Sequence, residues 1–227
     1  MLAGLLVSVR STEEAEIALK AGVRVIDIKE PSAGPLGRAS TDVWAAIREL
    51  VGRAKPISVA LGELSDWVNP AATIDWSSLS FRKIGLANSG FDWAKRWDSL
   101  RKLQPGPPWI ATVYADWQRA MSPPPSEILD VALSVPDCVG LLIDTWDKAR
   151  SSPLDASWFP LIARAKAAGR LVTLAGKLDA DAIRELAPLG PDLFGVRSAV
   201  CVRGDRLNKL DPIKVEELVR LTESLKV

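Results

Sequence analysis

Histidine is absent from the 227-residue chain, and with it go the commonest general base and the commonest zinc or iron ligand. Cysteine is scarce. Cys138 and Cys201 each sit in an apolar stretch, PDCVGLLI and SAVCVRG, which reads as two small buried residues in a reducing compartment and not as a disulfide. Neither sign of charge prevails: 29 basic residues stand against 28 acidic ones, so there is no global field for nucleic acid or an anionic membrane, and an anionic ligand has to be held locally. No apolar run reaches the roughly 18 residues of a membrane span, and the opening MLAGLLVSVR lacks a basic leader followed by a small-residue cleavage site. These absences point to a cytoplasmic protein using no metal or organic cofactor. Carboxylates, lysines and one tyrosine are left to do its chemistry.

What is present is an alternation. Short apolar runs recur at 5–9, 25–29, 57–61, 81–86, 109–114, 139–144, 171–176 and 193–197. Helical periods fill the gaps at 12–22, 41–54, 92–103, 126–135, 157–169, 179–190 and 211–224, with the faintest pattern somewhere in 69–80. Thr12, Thr41 and Ser126 are the expected helix starts, and glycines or prolines close several of these segments. Eight strands alternating with eight helical segments predict a single-domain (β/α)8 TIM barrel over residues 1–227, because parallel strands need crossover connections and eight of them close. An open doubly wound sheet is the alternative.

In such a barrel the chemistry sits at the carboxyl ends of the strands. In VIDIKEPSAGPLG, Asp27 and Lys29 lie two residues apart and therefore share one face of a strand, where an apolar pair would be cheaper to bury. Lys83 lies on the fourth strand, and Asp144 ends the sixth with Lys148 four residues on. Arg10, Asp116, Asp147 and Arg197 also fall at strand ends, where a solvated rim position explains them equally well. If Lys29 and Lys83 approach within about 5 Å, their repulsion at an effective dielectric near 20 is worth about 3 kcal/mol, roughly two pKa units, and one amine becomes partly neutral near pH 7. A neutral amine attacks carbonyls to form an imine, the electron sink of metal-free aldolases. Asp27 and Asp144 would then hold the remaining cations and exchange protons. Phosphate is the expected handle on the substrate. The loops LAGKLD and VRSAVCVRGDR after strands seven and eight offer Gly176, Ser198 and Ala199 for close backbone approach, although small residues there also simply let the chain turn.

Together LLVSVRS, IDIKEPSAGPLG, KIGL (83–86), LIDTWDK (142–148) and GVRSAVCVRGDR (195–206) resemble the (5-formylfuran-3-yl)methyl phosphate synthases, over essentially the whole chain. The resemblance implies a (β/α)8 barrel that makes the furan precursor of methanofuran from two molecules of glyceraldehyde 3-phosphate. It also implies Lys29 as the imine-forming lysine, Lys83 as general acid/base, and Asp27, Asp144 and Lys148 as supporting charges. The sequence departs from the family in a shortened loop after strand seven and in Ser198, where glycine is expected. A relative condensing another short phosphosugar would carry the same lysines.

Rival readings remain. A phosphosugar decarboxylase or epimerase would extend D-x-K to D-x-K-x-x-D, but the last position is Ser32. A metal-dependent barrel aldolase would want the missing histidines. A non-catalytic phosphometabolite-binding protein would need the cations but not the facing carboxylates. The expected partners are a triose phosphate and further copies of the chain in a homo-oligomer, whose interface would use some of the nine tryptophans.

Overall fold

The structure, a computed structural model, describes residues 3–67, 74–150 and 153–225. Its elements run β1 (Gly4–Val9), α1 (Thr12–Lys20), β2 (Val25–Ile28), α2 (Thr41–Val51), β3 (Ile57–Glu63), β4 (Phe81–Gly85), α3 (Trp93–Leu103) and β5 (Trp109–Tyr114). They continue as α4 (Pro125–Ser134), β6 (Cys138–Asp144), α5 (Phe159–Ala167), β7 (Leu171–Leu174), α6 (Ala180–Leu186), β8 (Leu193–Val196) and α7 (Pro212–Ser224). The strands pair in parallel, each with its sequence neighbours, and β8 closes onto β1. This is the (β/α)8 barrel that the alternation predicts; the open sheet is ruled out by the β1–β8 pairing, in which Gly4 to Val7 run beside Leu193 to Val196.

Strand alternation divides the apolar side chains into two layers. Outward positions such as Val7, Ile26, Val59, Ile84, Val113, Ile143, Leu174 and Phe194 join the helices in one large buried cluster. Inward positions Ala60, Ile110, Tyr114, Leu142 and Ala175 form a second, smaller cluster, plugged at the mouth by Leu36 from the loop after β2. Leu36 is held there by its carbonyl, which accepts from Gly62 N at 2.8 Å.

Helices α1 and α2 begin at Thr12 and Thr41 as expected, but the residues that cap them come one earlier. Ser11 and Ser40, not Thr12 and Thr41, cap α1 and α2, their hydroxyls accepting from Glu14 N and Val43 N. Either neighbour in Ser-Thr can cap; the first takes the role because its backbone is still extended. Ahead of Ser126, Pro125 opens α4, a position where its missing N–H is no loss.

The faint helix at 69–80 is the larger departure. Residues 69–73 lie outside the described residues, and 74–80 hold no helix. On that flank the described residues form a layer of tryptophan and arginine. Trp76 packs against Trp44 with centroids 6.2 Å apart, and the Arg82 guanidinium lies between Trp76 and Trp109, 4.9 and 4.0 Å from their centroids. Trp109 meets Trp97 edge-on, and Trp97 stacks on Trp93. None of the nine tryptophans is exposed. Cys138 and Cys201 are buried free thiols, as their apolar surroundings suggest. No helix among the described residues is long and apolar enough to cross a membrane.

Candidate active site

The strand register builds the site from its base. Ser8, Asp27 and Ser58 are paired neighbours across β1, β2 and β3. With three inward side chains in one row, the Asp27 carboxylate accepts from Ser8 Oγ at 3.0 Å and from Ser58 Oγ at 2.6 Å. Its remaining capacity goes to Lys83 Nζ, in a buried ion pair reaching across from β4. Two hydroxyls and an ammonium thus stand where water would otherwise solvate the Asp27 carboxylate. Ser58 was not singled out in the sequence; the available signal was a hydroxyl at an inward position of an otherwise apolar strand.

A second pair stands at the end of β6. Asp144 accepts from Thr145 N at 2.8 Å and from Lys148 Nζ at 2.5 Å. Burial pushes the Asp144 carboxyl up, yet the charges of Lys148 and Lys29 outweigh this and leave it below the usual carboxylate range. Burial lowers Lys148, while the Asp144 charge opposes that shift.

Lys29 lies just past β2, facing both pairs. It is buried and, among the described residues, forms no ion pair of its own. Burial takes its amine from 10.5 to about 7, against the pull of Asp144 and Asp27. Repulsion from Lys148 adds to the fall, and repulsion from Lys83 is the least of these influences. The sequence reasoning thus reaches a half-neutral amine through the wrong dominant cause. Lys83 is already paired with Asp27, and desolvation does most of the work.

These five residues line one cavity of about 250 Å³ at the carboxyl end of the barrel, together with Ser8, Gly176, Ser198 and Arg206. Gly176 has φ +112°, and a Cβ there would come within 2.8 Å of the Thr145 side chain, so the wall requires glycine at this point. Ser198 opens a short 3₁₀ turn on the same wall. Ala199 is not among the residues that line it. Its side chain packs on the large outer cluster, because the turn rotates successive residues to opposite sides.

The rim charges sort differently from one another. Arg197 is buried and paired with Glu14 of α1, and Arg10 Nε lies 3.7 Å from the same carboxylate. Asp116 accepts from Trp146 N and Asp147 N at 2.7 and 2.9 Å, tying down the loop after β6. Asp147 stays near solvent, facing Arg150. Across the mouth, the Glu63 carboxylate accepts from Tyr114 Oη at 2.5 Å and Ala87 N at 2.8 Å; burial raises its pKa despite those bonds. Glu14, Glu63 and Arg206 escaped the sequence reading, since nothing in their local spacing separates them from surface residues; Tyr114 is the one tyrosine that the composition left for chemistry.

Residues 5–219 match the family described as 4-HFC-P synthase. The chain belongs to that family. A (5-formylfuran-3-yl)methyl phosphate synthase of Archaeoglobus fulgidus is 30% identical over 243 residues, covering 97% of this chain and 98% of the relative. One from Methanobrevibacter smithii is 29% identical over 235 residues, covering 97% and 99%. Among solved structures, phosphoribosyl anthranilate isomerase from Thermus thermophilus superposes with a TM-score of 0.63 at 16% identity, covering 98% of this chain and all of that one. 3-Hexulose-6-phosphate synthase from Salmonella typhimurium gives 0.58 at 12% identity, covering 96% and 99%. At such identities these two likenesses speak for the 4-HFC-P synthase chain's barrel alone.

Proposed function

We propose that this 4-HFC-P synthase family member condenses two molecules of glyceraldehyde 3-phosphate into (5-formylfuran-3-yl)methyl phosphate, in the cytoplasm, as a step toward a methanofuran-type cofactor. The observation that carries the reading is Lys29, an amine with a pKa of about 7 lying between two lysine–carboxylate pairs. About half of it is neutral at pH 7, so it attacks an aldehyde without a separate base.

Lys29 adds to the carbonyl of one triose phosphate. Lys83, paired with Asp27, delivers the proton with which the carbinolamine loses water, leaving a protonated imine. Neutral after that transfer, Lys83 takes the proton next to the imine carbon and gives an enamine. The enamine carbon attacks the aldehyde of the second triose phosphate, and the new alkoxide is protonated from Lys148, which Asp144 holds in place. Elimination of one phosphate, hydrolysis of the imine, ring closure and dehydration follow. Two trioses lose one phosphoric acid and two waters in all, keeping six carbons and one phosphate, and the aromatic ring supplies the driving force.

The test is product analysis with glyceraldehyde 3-phosphate as sole substrate, in the presence of a chelator. One inorganic phosphate per two trioses should appear with a conjugated-aldehyde absorbance, and borohydride should trap an adduct on Lys29. An adduct on Lys83 or Lys148 would reverse the roles. Phosphate release without the chromophore would end the synthase reading.

A further inference from the structure

Six cationic side chains line the cavity (Lys29, Lys83, Lys148, Lys177, Arg197 and Arg206) against three carboxylates, Asp27, Asp144 and Asp205. Three of the cations are committed within the described structure. Lys83 and Lys148 hold Asp27 and Asp144. Arg197 is used up completely. Its Nη1 donates to Ser8 O and Glu14 Oε2, its Nη2 to Glu14 Oε1 and Asn208 O, and its Nε to Arg206 O. Those are all five N–H groups of a guanidinium, so Arg197 has nothing left to offer a ligand.

Arg206 is its opposite. It is half-buried on the cavity wall, forms no ion pair among the described residues, and donates one hydrogen bond, from Nη2 to Gly34 O at 3.1 Å. Its Nε is buried without a partner. The same is true of Nε in Arg48, Arg82, Arg101 and Arg170, but of these five only Arg206 lines the cavity, where an acceptor can arrive. The backbone holds the arm in position. Residues 201 and 210 form a β-bridge, Arg197 Nε grips Arg206 O inside that loop, and the Gly34 contact ties it to the loop after β2. Arg206 is therefore a preorganised fork with free donors, facing a cavity whose cations outnumber its carboxylates.

We propose that Arg206 is the side chain that grips the phosphate of the substrate in this cavity, so that it selects phosphorylated over unphosphorylated aldehydes. Arg197 serves as the strut that aims it. The choice of substrate rests on the triose phosphate reading above; the anion grip rests on the donor geometry alone. A planar fork matches two phosphate oxygens at once, which an ammonium does not.

Calorimetric titration of the full chain with inorganic phosphate, in a buffer free of competing anions, tests the grip without turnover. Arg206→Gln should weaken phosphate binding about tenfold or more, and Arg206→Lys, which keeps the charge but loses the fork, by a few fold. Lys177→Ala, removing an exposed cation on the same rim, should cost less than Arg206→Gln. Borohydride trapping on Lys29 adds a selectivity readout: Arg206→Gln should slow adduct formation with glyceraldehyde 3-phosphate and leave that with glyceraldehyde unchanged. Unaltered phosphate affinity in folded Arg206→Gln overturns the assignment, as does a wild-type chain that binds no phosphate. If Arg206→Gln does not fold, Arg206→Lys with wild-type affinity does the same. A chain that grips phosphate through Arg206 but makes no furan from triose phosphate would sink the proposed reaction and leave this assignment standing.

Discussion

β4 carries two cations side by side, and they face opposite sides of one sheet. Arg82 points out into the helix layer, where Trp76 and Trp109 sandwich it and Gln104 O accepts from it. Lys83 points into the barrel and pairs with Asp27. A guanidinium is flat and weakly hydrated, so aromatic faces and a carbonyl can stand in for its water. Burial lowers Arg82 only to about 10, and it remains charged at neutral pH. A compact ammonium has no such substitute. Inside the barrel it either takes a carboxylate, as Lys83 and Lys148 do, or gives up its proton, as Lys29 half does. Arg82 is structural because ring faces and a carbonyl stand in for most of its water. Lys29 is reactive because, among the described residues, no carboxylate pairs with it.

The sharpest test of that contrast is at Lys29. Lys29→Ala should abolish the borohydride adduct and lower turnover by at least about a thousandfold, and Lys29→Arg, charged but unable to form an imine, should not restore it. Lys29→Met should nevertheless be the more stable protein at neutral pH, by on the order of 2–4 kcal/mol. The sign follows from a folded pKa of about 7 against 10.5 in the free amine. Between those values the unfolded chain binds a proton that the folded chain gives up. Stability contributed by the neutral amine is thus full above 10.5, falls as the pH drops toward 7, and stays low below. Denaturant unfolding of both proteins across that window checks it. A Lys29→Met chain no more stable than wild type would break the comparison.

On the outer side, Arg82→Ala should cost about 3–5 kcal/mol of stability, since it strips the partner from the buried Trp109 ring, the half-buried Trp76 ring and a carbonyl, while kcat stays within about twofold. Lost activity in folded Arg82→Ala would mean that the two faces of β4 are not independent.

A smaller effect is expected from Asp144→Asn. The Asp144 charge raises the Lys29 pKa, so removing it should shift the acid limb of adduct formation to lower pH, by about one unit or less. Rates of borohydride-trapped adduct against pH, independent of later steps, give the answer; a shift to higher pH would contradict the assigned neighbours.

Smallest is Tyr114→Phe, which removes the hydroxyl donated to the half-buried Glu63 carboxylate and should cost about 1 kcal/mol in thermal or denaturant unfolding. Stability unchanged from wild type would place Glu63 in contact with water.

How far the chain was legible can be followed residue by residue. The strands were readable to within a residue or two because period-two alternation and strand length are local properties, and their number with the intervening helices led to a closed barrel. Asp27 and Lys29 could be placed in the interior for the same reason, and the residues 83, 144 and 148 fell in place at strand ends. Where the Ala199 side chain points could not be read, since a short 3₁₀ turn after β8 decides which of two small neighbours faces the cavity. Nor could the missing helix at 74–80, because tryptophans that pack across the sheet carry no period.

The sequence by itself determined the alternation, the absence of imidazole chemistry and the positions of charges along strands, all of which follow from residue type and spacing. The tertiary structure alone decided which charges are satisfied. Arg197 and Arg206 lie nine residues apart in one loop segment and look alike as letters. Yet Glu14, 183 positions away, saturates the first, and Gly34, 172 away, leaves most of the second free. Partners at that separation meet only when β8 closes on β1, and a hydrogen bond's worth depends on what else its donor can reach once water is gone.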